Sequence, residues 1–385
     1  MLALKVAHVT TACRWHAPGI DAAVTGIAAA TARAPDMAVS VLGIVLNRTE
    51  WPSGKHGGIE RQRIEIVGPR TLAYAPGLAA ALSHLRPHVV HQHGAWQYPG
   101  GAASRWCRGE GVPFVLSPHG MFSAVGLAAR RARKLAAWLA WQRTVATTAH
   151  LIHATSEQEL HAIRRLGLRS PVAVIPLGVT VPEHCPRKPE GSGLRAVYLG
   201  RLDPLKGVGD LVAAWASLRP RGWSLTIAGP DHRGYLARLQ RSIAHHGLAD
   251  EVAVIGPVWR RDRDALLETA DLLVLPSYTE NFGLVVAEAL ARAVPVVATT
   301  GTPWQCLVEE GCGWVAPCGV GGITAALSAA CGLDLPTLRL MGRRGWALAR
   351  ARFDWDEIGR QFAAAYRWLC TSNAMPSCIR LTEDQ

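Results

Sequence analysis

Two positively charged side chains follow an apolar run in the second half of the chain. The run ends at Gly200, where the backbone must turn, and Arg201 and Lys206 come directly after it. Fixed cations at the end of a strand suit a diphosphate, and they stabilise the charge that a leaving diphosphate gathers in the transition state. Surface charge without a ligand is the alternative interpretation. The pair predicts a phosphate-binding site.

Two carboxylates belong to a second segment, Pro276–Leu290. A strand is expected to end at Pro276 and a helix to begin near Phe282, so that Glu280 precedes the helix and Glu288 lies inside it. A carboxylate accepts two hydrogen bonds from vicinal hydroxyls, which suits one glutamate to a sugar and the other to a ribose. The helix start offers N–H groups to phosphate oxygens. Alternatively, Glu280 complements the helix N-terminus, whereas Glu288 has apolar neighbours and needs a partner.

Short β-branched runs alternate with longer Ala/Leu/Arg-rich stretches in both halves of the chain. This alternation indicates parallel strands covered on both faces, and it predicts an α/β protein with two doubly wound Rossmann-like domains. Two such domains leave a cleft, and ligands bind outside the carboxyl ends of the strands. The expected strands are Leu4–Val9, Val39–Leu46, His88–His91, Phe114–Ser117, Leu151–His153, Val172–Ile175, Ala196–Leu199, Ser224–Ala228, Val252–Ile255, Leu272–Leu275 and Val294–Ala298.

A stretch rich in proline and glycine, Pro182–Gly193, has the composition of a linker. It predicts one domain over residues 1–182 and a second over residues 194–355. A helix is expected at about residues 356–370, because acidic residues precede an apolar pattern of helical period there.

The bulk composition favours a globular protein, with 49% hydrophobic and 18% charged residues. We find no apolar stretch of the roughly 18 residues that a membrane span needs. The nine cysteines lack the paired spacing of zinc sites, which predicts reduced thiols and a cytoplasmic location.

The net charge of +12 lies almost wholly in the first half, where residues 1–182 contain 19 Lys/Arg and 8 Asp/Glu. Nucleic acid, an anionic membrane or a phosphorylated substrate would each explain the excess. No module with interleaved basic and aromatic residues is evident, so no nucleic-acid partner is expected.

With these motifs the whole chain resembles glycosyltransferase family 4, whose members have the GT-B fold. The strongest match is the E-x7-E element, Glu280 to Glu288, combined with Gly200-Arg201 and Lys206-Gly207. Three further segments are similar to members that build bacterial exopolysaccharides and lipid-linked oligosaccharides: Ser117–Met121, Gly301–Trp304 and His91–Trp96.

The resemblance implies a set of site residues. The diphosphate would be held by Arg201 and Lys206, the ribose by Glu288, and the donor sugar by Glu280, with His119 reaching the sugar from the opposite domain through its ring or its backbone carbonyl. The catalytic set would be His119, Arg201, Lys206 and Glu280, and the donor-binding set Gly200, Arg201, Lys206, Glu280, Asn281, Phe282, Gly283, Leu284 and Glu288. The helix at 356–370 would cross back to the first domain. Transfer would proceed with retention by front-face attack, with no metal and no other cofactor.

The acceptor side is expected to involve Gly19, Asp21, His93 and Trp96. Many family members have a Gly-Gly turn after the first strand, whereas Ile20 follows Gly19 here and cannot easily take a positive φ. Asp21 would bind an acceptor hydroxyl or cap a helix. His91 and His93 alternate with Gln92 along a strand, and one of the two histidines is expected to line the cleft.

Two D-x-D stretches, Asp262–Asp264 and Asp354–Asp356, resemble the metal signature of a different glycosyltransferase fold. Each precedes a helical pattern, where acidic residues complement the helix start, so no metal site is expected.

A basic stretch at residues 128–143 contains five cations and two tryptophans. Such a helix suits an anionic membrane surface, with Arg130, Arg131, Arg133, Lys134 and Arg143 as contacts and Trp138 or Trp141 at the interface. The alternative is a helix packed on its own domain through Leu135, Trp138 and Leu139.

The sequence therefore predicts a retaining glycosyltransferase that moves a sugar from a nucleoside diphosphate donor to a glycan or lipid-linked acceptor. We expect a role in bacterial surface polysaccharide synthesis and a cytoplasmic protein that associates peripherally with the membrane. The alternatives are a nucleotide-sugar epimerase of the same fold and a non-catalytic sugar- or lipid-binding protein.

Overall fold

The computed structural model describes residues 3–11, 18–46, 54–69, 71–128, 131–187, 193–259, 261–371 and 374–382. The chain forms two compact units. The first contains Met1–Gly178 together with Trp355–Gln385, and the second contains Val179–Asp354. Part of the expected linker, residues 188–192, lies outside the described residues.

The strands in chain order are β1 (Leu4–Thr10), β2 (Met37–Val45), β3 (Gly54–His56), β4 (Ile59–Glu65), β5 (Val89–His93), β6 (Phe114–Ser117), β7 (Leu151–Ala154), β8 (Val172–Val174), β9 (Leu194–Leu199), β10 (Trp223–Ala228), β11 (Val252–Gly256), β12 (Leu272–Leu275), β13 (Val296–Thr299), β14 (Gly313–Ala316) and β15 (Ile379–Arg380).

The helices are α1 (Pro18–Thr31), α2 (Gly77–Leu85), α3 (Tyr98–Glu110), α4 (Ala124–Ala128), α5 (Arg131–Ala137), α6 (Arg143–Thr147), α7 (Glu157–Arg165), α8 (Val208–Leu218), α9 (Tyr235–His245), α10 (Arg261–Thr269), α11 (Leu284–Ala291), α12 (Cys306–Glu309), α13 (Val320–Cys331), α14 (Leu335–Arg352) and α15 (Trp355–Cys370). A π-helical turn, Trp138–Gln142, joins α5 to α6, and a 3₁₀ turn, Pro204–Lys206, precedes α8. None of the described helices is both long and apolar enough to cross a bilayer.

In the first unit, the described strands form one sheet in the order β15-β8-β7-β6-β5-β1-β2-β4-β3. The pairings are parallel except at the two edges, where β15 and β3 run antiparallel to their neighbours. Helices cover both faces, because α1 and α15 pack together against β2 and β5, while α2 and α3 contact β4 and β5. Ala7 and Val9 of β1 belong to the core on the α2–α3 side. His8 alternates with them and so faces α15.

The second unit contains a sheet whose described strands are all parallel, in the order β11-β10-β9-β12-β13-β14. The core combines strand residues such as Val274 with Trp215 of α8 and Leu327 of α13, which are fully buried. Together the two units confirm the predicted fold class, an α/β protein with two doubly wound domains. The carboxyl ends of β9 and β12 are neighbours in this sheet, which brings the two predicted motifs of this unit to one edge.

Local sequence signals explain the helix starts that matter for the site. Ser156 caps α7 by accepting a hydrogen bond from the Glu159 N–H at 3.2 Å, and Glu159 sits at the N3 position of a capping box. Helix α15 begins within one residue of the predicted position, with Asp356 and Glu357 in its first turn.

The structure corrects one expectation near α1. Gly19 and Ile20 lie in the first turn of this helix and have no positive φ, so Ile20 strains nothing. Asp21 is likewise a first-turn residue, where its charge complements the helix N-terminus, and the predicted capping position is wrong. Gly19 and Asp21 therefore belong to helix α1 and not to the loop before it. Residues 12–17, between β1 and α1, lie outside the described residues.

Candidate active site

The loops after β9 and β12 are joined by a partly buried ion pair. The Lys206 Nζ atom lies 2.6 Å from Glu280 Oε1, and both side chains are less than 20% exposed, at 17% and 15%. The Tyr278 N–H also donates to the Leu205 carbonyl at 2.9 Å. The two predicted motifs therefore form one cluster at the carboxyl edge of the sheet.

A buried tyrosine holds the backbone of Arg201 through a hydrogen bond. The Tyr198 hydroxyl donates to the Arg201 carbonyl at 2.7 Å, and burial raises the pKa of Tyr198 well above its usual value of 10. The phenol therefore remains a donor at neutral pH. The Arg201 side chain is exposed and free to meet an anion beside Gly200. Sequence reasoning missed Tyr198, although it is the one hydroxyl in the apolar run of β9.

Glu280 is held at its carboxylate and at its backbone by two further hydrogen bonds. Ser277 Oγ donates to Glu280 Oε1 at 3.0 Å, and the Glu280 N–H donates to the Gly301 carbonyl at 2.9 Å. The 3₁₀ turn that carries Lys206 is capped by Asp203, which accepts from the Leu205 N–H at 2.9 Å. Both members of the ion pair are thus preorganised before any ligand arrives.

The segment after Glu280 prepares the start of α11. Gly283 has a φ of 77° and immediately precedes Leu284, the first helical residue. The buried Trp304 indole N–H donates to the Phe282 carbonyl, and the two rings lie 5.2 Å apart. Asn281 is partly buried next to them. This packing sets the direction in which the first-turn N–H groups of α11 point.

The structure supplies the partner that Glu288 requires. Glu288 is buried in α11 and forms an ion pair with Arg263 of α10, and burial lowers the pKa of Arg263 below its usual value. Arg292 continues the network by binding Asp264 at 2.5 Å. Asp264 of the Asp262–Asp264 stretch is therefore engaged in an ion pair with an arginine. Sequence reasoning missed Arg263, which is the middle residue of the Asp262–Asp264 stretch.

In the first unit, the predicted residues His93 and His119 meet directly. His93 ends β5, His119 follows β6, and the His93 Nδ1 and His119 Nε2 atoms are 3.0 Å apart. The His8 Nδ1 atom lies 2.9 Å from His93 Nε2 on the other side. His91 and His153 extend this group to five histidines.

The His119 backbone adopts a left-handed conformation, with a φ of 49°. Such a conformation is uncommon for a residue with a Cβ and occurs at functional sites as well as at helix ends, such as Arg86 and Arg219 here. The buried Glu159 stabilises it, because Oε1 accepts from the Gly120 N–H at 2.6 Å while Oε2 accepts from the N–H and hydroxyl of Thr155. Glu159 was not predicted, although the S-x-x-E capping box marks it.

Trp96 lies apart from the histidines, in an aromatic cluster with Phe122 and Trp138 at ring distances of 5.6 and 6.2 Å. Its φ is 74°, and its N–H donates to Gln142 Oε1 at 2.7 Å. The structure does not bring Gly19, Asp21 or Trp96 into contact with His119 through any hydrogen bond between described residues. Their acceptor roles stay predictions.

The basic stretch is divided differently from the expectation. Trp138 and Trp141 are partly buried and pack against the core, whereas Leu135 and Leu139 are 58% and 74% exposed. The tryptophans therefore do not form the exposed face, and packing of the helix through Leu135 and Leu139 is also wrong. Lys134 binds the Gly126 carbonyl and lies 5.5 Å from the Trp96 ring centroid, whereas Arg130 lies outside the described residues.

Two family models match most of the chain. The model of the glycosyl transferase 4-like domain matches residues 9–178, and the model of glycosyl transferases group 1 matches residues 187–327. The second match contains every predicted donor-binding residue.

Two relatives illustrate the likeness. The GDP-mannose:cellobiosyl-diphosphopolyprenol alpha-mannosyltransferase of Xanthomonas campestris is 28% identical over 262 residues, which is 66% of this chain and 66% of the relative. The glycogen synthase of Mycobacterium tuberculosis is 30% identical over 300 residues, which is 73% of this chain and 69% of that enzyme.

Solved structures share the fold at lower identity. Sucrose-phosphate synthase from Thermosynechococcus elongatus has a TM-score of 0.79 and 22% identity, covering 96% of this chain and 100% of that chain. Anabaena Alr3699/HepE in complex with UDP-glucose has a TM-score of 0.71 and 20% identity, covering 94% and 99%. The chain thus belongs to the group 1 glycosyltransferases with a family 4-like N-terminal domain, and it is a glycosyltransferase of the GT-B fold.

Proposed function

We propose that this glycosyltransferase takes its sugar from a nucleoside diphosphate donor and transfers it, with retention, to a glycan or lipid-linked acceptor. The observation that carries the donor assignment is the Lys206–Glu280 ion pair at the carboxyl edge of the second sheet, with Arg201 after β9 and Glu288 in the helix that follows Glu280. Relatives support it, since the Xanthomonas enzyme is named for GDP-mannose and a diphosphopolyprenol acceptor, and Alr3699/HepE was solved with UDP-glucose.

In this proposal the cations serve the leaving group. Arg201 and Lys206 bind the diphosphate, whose negative charge grows as the glycosidic bond breaks, so they stabilise the transition state more than the ground state. Without a donor, the Lys206 ammonium is neutralised by Glu280. Donor binding exchanges this pair, because phosphate oxygens take the ammonium and sugar hydroxyls take the carboxylate.

The remaining residues recognise the nucleotide and the sugar. Glu288 binds the ribose hydroxyls while Arg263 keeps the buried carboxylate compensated. The segment 281–284 offers backbone N–H groups to the sugar and phosphate at the start of α11. His119 binds a sugar hydroxyl.

The same residues favour front-face attack without a metal. Glu280 is tied to Lys206 and Ser277, which suits it to binding hydroxyls rather than to forming a covalent intermediate. The leaving phosphate then takes the acceptor proton. In the D-x-D stretches, Asp264 forms an ion pair with Arg292, and Asp356 forms one with Arg33. An arginine therefore occupies the place of a cation at each of these two carboxylates.

A ligand screen followed by a transfer assay tests the donor assignment. We expect UDP, GDP or ADP and one of their sugars to raise the melting temperature, because a ligand that binds the native state stabilises it. The shift should vanish in Arg201→Ala and persist in Arg195→Ala, which removes an exposed cation at the opposite end of β9. No shift with any of these nucleotides or sugars would refute the assignment.

Product analysis separates the competing activities. Mass spectrometry detects transfer to an acceptor, and the anomeric proton coupling of the product reports retention or inversion. An altered sugar still attached to its nucleotide would indicate the epimerase, and binding without turnover would indicate the sugar- or lipid-binding protein.

We further propose that the first unit docks on the anionic inner face of the cytoplasmic membrane, where a lipid-linked acceptor of surface polysaccharide synthesis would be met. The exposed side of α5, the π-helical turn and α6 supports this, since the exposed Leu135 and Leu139 lie near the exposed Arg131, Arg133 and Arg143 in the sequence. Each basic residue near an anionic surface contributes roughly 1 kcal/mol, and inserted leucines add a part that salt does not screen.

Liposome co-sedimentation tests the docking surface. We expect binding to anionic vesicles that weakens with salt and with Arg131→Gln/Arg133→Gln, and a salt-resistant part that is lost in Leu139→Ser. The double variant Arg238→Gln/Arg241→Gln removes the same charge from the exposed side of α9 and should bind normally. Equal binding to neutral vesicles, or equal loss in both double variants, would contradict the proposal.

A further inference from the structure

Two hydrogen-bond chains pass through the histidines that line the α15 face of the first sheet. His8 is on β1, His91 and His93 are on β5, and His153 is on β7, and all four are at most 1% exposed. His119 extends the group beyond β6. The proposed reaction uses His119 alone, which leaves the purpose of the others open.

One chain has a fixed direction. A carbonyl only accepts, so the 2.8 Å contact between His153 Nε2 and the Ile175 carbonyl places the hydrogen on Nε2. Burial lowers the pKa of His153 to about 4, so its Nδ1 is bare and accepts from Ser117 Oγ at 2.7 Å. Ser117 in turn accepts from His91 Nε2 at 2.6 Å, and His91 Nδ1 accepts from the Tyr366 hydroxyl at 2.7 Å. Every hydrogen in this hydrogen-bond chain therefore has an assigned position, and the hydrogen-bond chain contains no bond to His119.

The other chain consists of three imidazoles in a row, His8, His93 and His119. Burial lowers the pKa of His8 and of His119 to about 3 and that of His93 well below 6.5, so each ring carries one N–H at neutral pH. Two bonds between three neutral rings allow only two arrangements. Either every ring carries its hydrogen on Nδ1, or every ring carries it on Nε2.

The buried end of this chain favours the first arrangement. His8 Nε2 is enclosed and has no hydrogen-bond partner among the described residues. With hydrogens on Nε2, an N–H group would be stranded there, whereas with hydrogens on Nδ1 only a lone pair is stranded. Among backbone groups, buried N–H donors without an acceptor are rarer than under-satisfied acceptors, and we extend the same preference to the imidazole. His93 therefore donates from Nδ1 to His119 Nε2, and the His119 hydrogen lies on Nδ1.

We propose that His93 and His8 are positioning residues that hold His119 as a neutral hydrogen-bond donor through its Nδ1 N–H. The inference rests on the proposed function, which gives His119 its sugar hydroxyl. The tautomer of a histidine is set by the bond that its other nitrogen makes, and Glu159 fixes the same residue through the Gly120 N–H. Ring and backbone of His119 are thus held from two sides.

A metal ion shared by His8, His91 and His93 is the competing explanation, because one nitrogen of each lies within 4.8 Å of the others. The His91 and His93 rings are stacked, with centroids 4.1 Å apart and planes 29° apart. A metal ion lies close to the plane of each imidazole that binds it, at about 2.1 Å from nitrogen. Both chains would have to rearrange before the three rings could share an ion.

Long-range proton–nitrogen NMR of the full chain labelled with ¹⁵N-histidine tests the proposal without any substrate. The two tautomers give different nitrogen shifts, and His119→Asn identifies the His119 signals. We expect wild-type His119 to carry its hydrogen on Nδ1 at neutral pH. A hydrogen on Nε2, titration of His119 near pH 6.5, or a stoichiometric transition metal in the purified protein would overturn the proposal.

Variants separate tautomer control from mere packing. In His93→Leu, the freed His119 Nε2 should take up hydrogen, and in His93→Asn the side-chain amide should restore donation and the Nδ1 tautomer. His153→Leu is the matched control, since His153 is equally buried but belongs to the other chain. A His119 tautomer that is unchanged in His93→Leu, or changed equally in His153→Leu, would overturn the assignment.

Turnover provides an independent readout. We expect kcat to fall by about 10-fold or more in His93→Leu, with the donor KM within about threefold, and to recover in His93→Asn. Normal turnover in His93→Leu would show that the tautomer has no role in the reaction. If wild type shows no transfer with any nucleotide sugar, the proposed function fails while the NMR result still decides the tautomer.

Discussion

Replacement of Glu159 by glutamine should lower the stability of the first unit substantially, although the two side chains have the same shape. Glu159 is 4% exposed, and its two oxygens accept from the Gly120 N–H, the Thr155 N–H and the Thr155 hydroxyl. Glutamine has the same shape, but only one of its two terminal groups accepts. If the oxygen stays on Thr155, the amide group faces the Gly120 N–H, donor against donor.

The magnitude follows from these bonds. A buried donor left without a partner costs about 1–3 kcal/mol, and each remaining bond loses roughly 1 kcal/mol when its acceptor is no longer charged. We therefore expect Glu159→Gln to lower the free energy of unfolding by about 3–5 kcal/mol. For a unit of this size that is a fall in melting temperature of about 6–20 °C.

Glu157→Gln is the matched control for this substitution. Glu157 lies in the same first turn of α7, so both variants remove one negative charge from the same helix N-terminus. Glu157 pairs with Arg380 at 3.2 Å, but the two side chains are 53% and 45% exposed, and such a surface pair contributes about 0–1 kcal/mol. Calorimetry should separate the two variants clearly. Equal melting temperatures would refute the argument that the bonds to Gly120 and Thr155, rather than the helix charge, stabilise the turn at His119.

Three further outcomes are expected. Arg201→Ala and Lys206→Ala should each lower kcat by about 10²-fold through loss of leaving-group stabilisation, with Arg195→Ala as the control, and turnover of both within about threefold of wild type would contradict their roles. Transfer should continue in excess EDTA, and a complete loss restored by Mn²⁺ or Mg²⁺ would show that the reaction needs a metal. Because burial lowers the pKa of His8 to about 3 and of His153 to about 4, the unfolded chain binds more protons below pH 6.5. In urea titrations, the free energy of unfolding should therefore be constant above that pH. Toward pH 4 it should fall by roughly 1.4 kcal/mol per pH unit for each such histidine. No fall would show that these rings are not buried in the neutral form.

Most of the strands that the sequence predicted are buried on both faces, because a continuous apolar run is a strong local signal. The edge strand β11 was also predicted, although it exposes Ala253 and Ile255. Strand β4 was missed for the opposite reason. Its sequence, IERQRIE, buries only Ile59 and Ile64, and its place in the sheet depends on pairing with β2, which no local pattern reveals. The two-residue β15 likewise exists only because β8 is beside it.

The site divides in the same way. Arg201, Lys206 and Glu280 lie in the loops after β9 and β12, and fixed topology brings such loops to one edge of a sheet. Their positions in the sequence were therefore sufficient to predict that Lys206 and Glu280 lie close together. Tyr198 and Arg263 act on the backbone or side chain of another residue, and their partners become visible only when separate elements have packed. The structure shows them through hydrogen bonds and ion pairs that connect positions far apart in the sequence.

In the proposed function, the two units solve different recognition problems with different electrostatics. The second unit offers an ion pair, Lys206 and Glu280, which the ligand would separate, and charge suits a diphosphate whose own charge grows during the reaction. The first unit offers neutral groups, since burial keeps the histidine pKa values low. A cationic imidazole would attract any nearby anion, whereas a neutral N–H of fixed direction selects a hydroxyl by geometry alone. It follows that a change of pH between about 5 and 8 should leave the His119 contribution to turnover constant, and that the direction of the His119 donor, rather than its charge, is what β1, β5 and α7 are arranged to preserve.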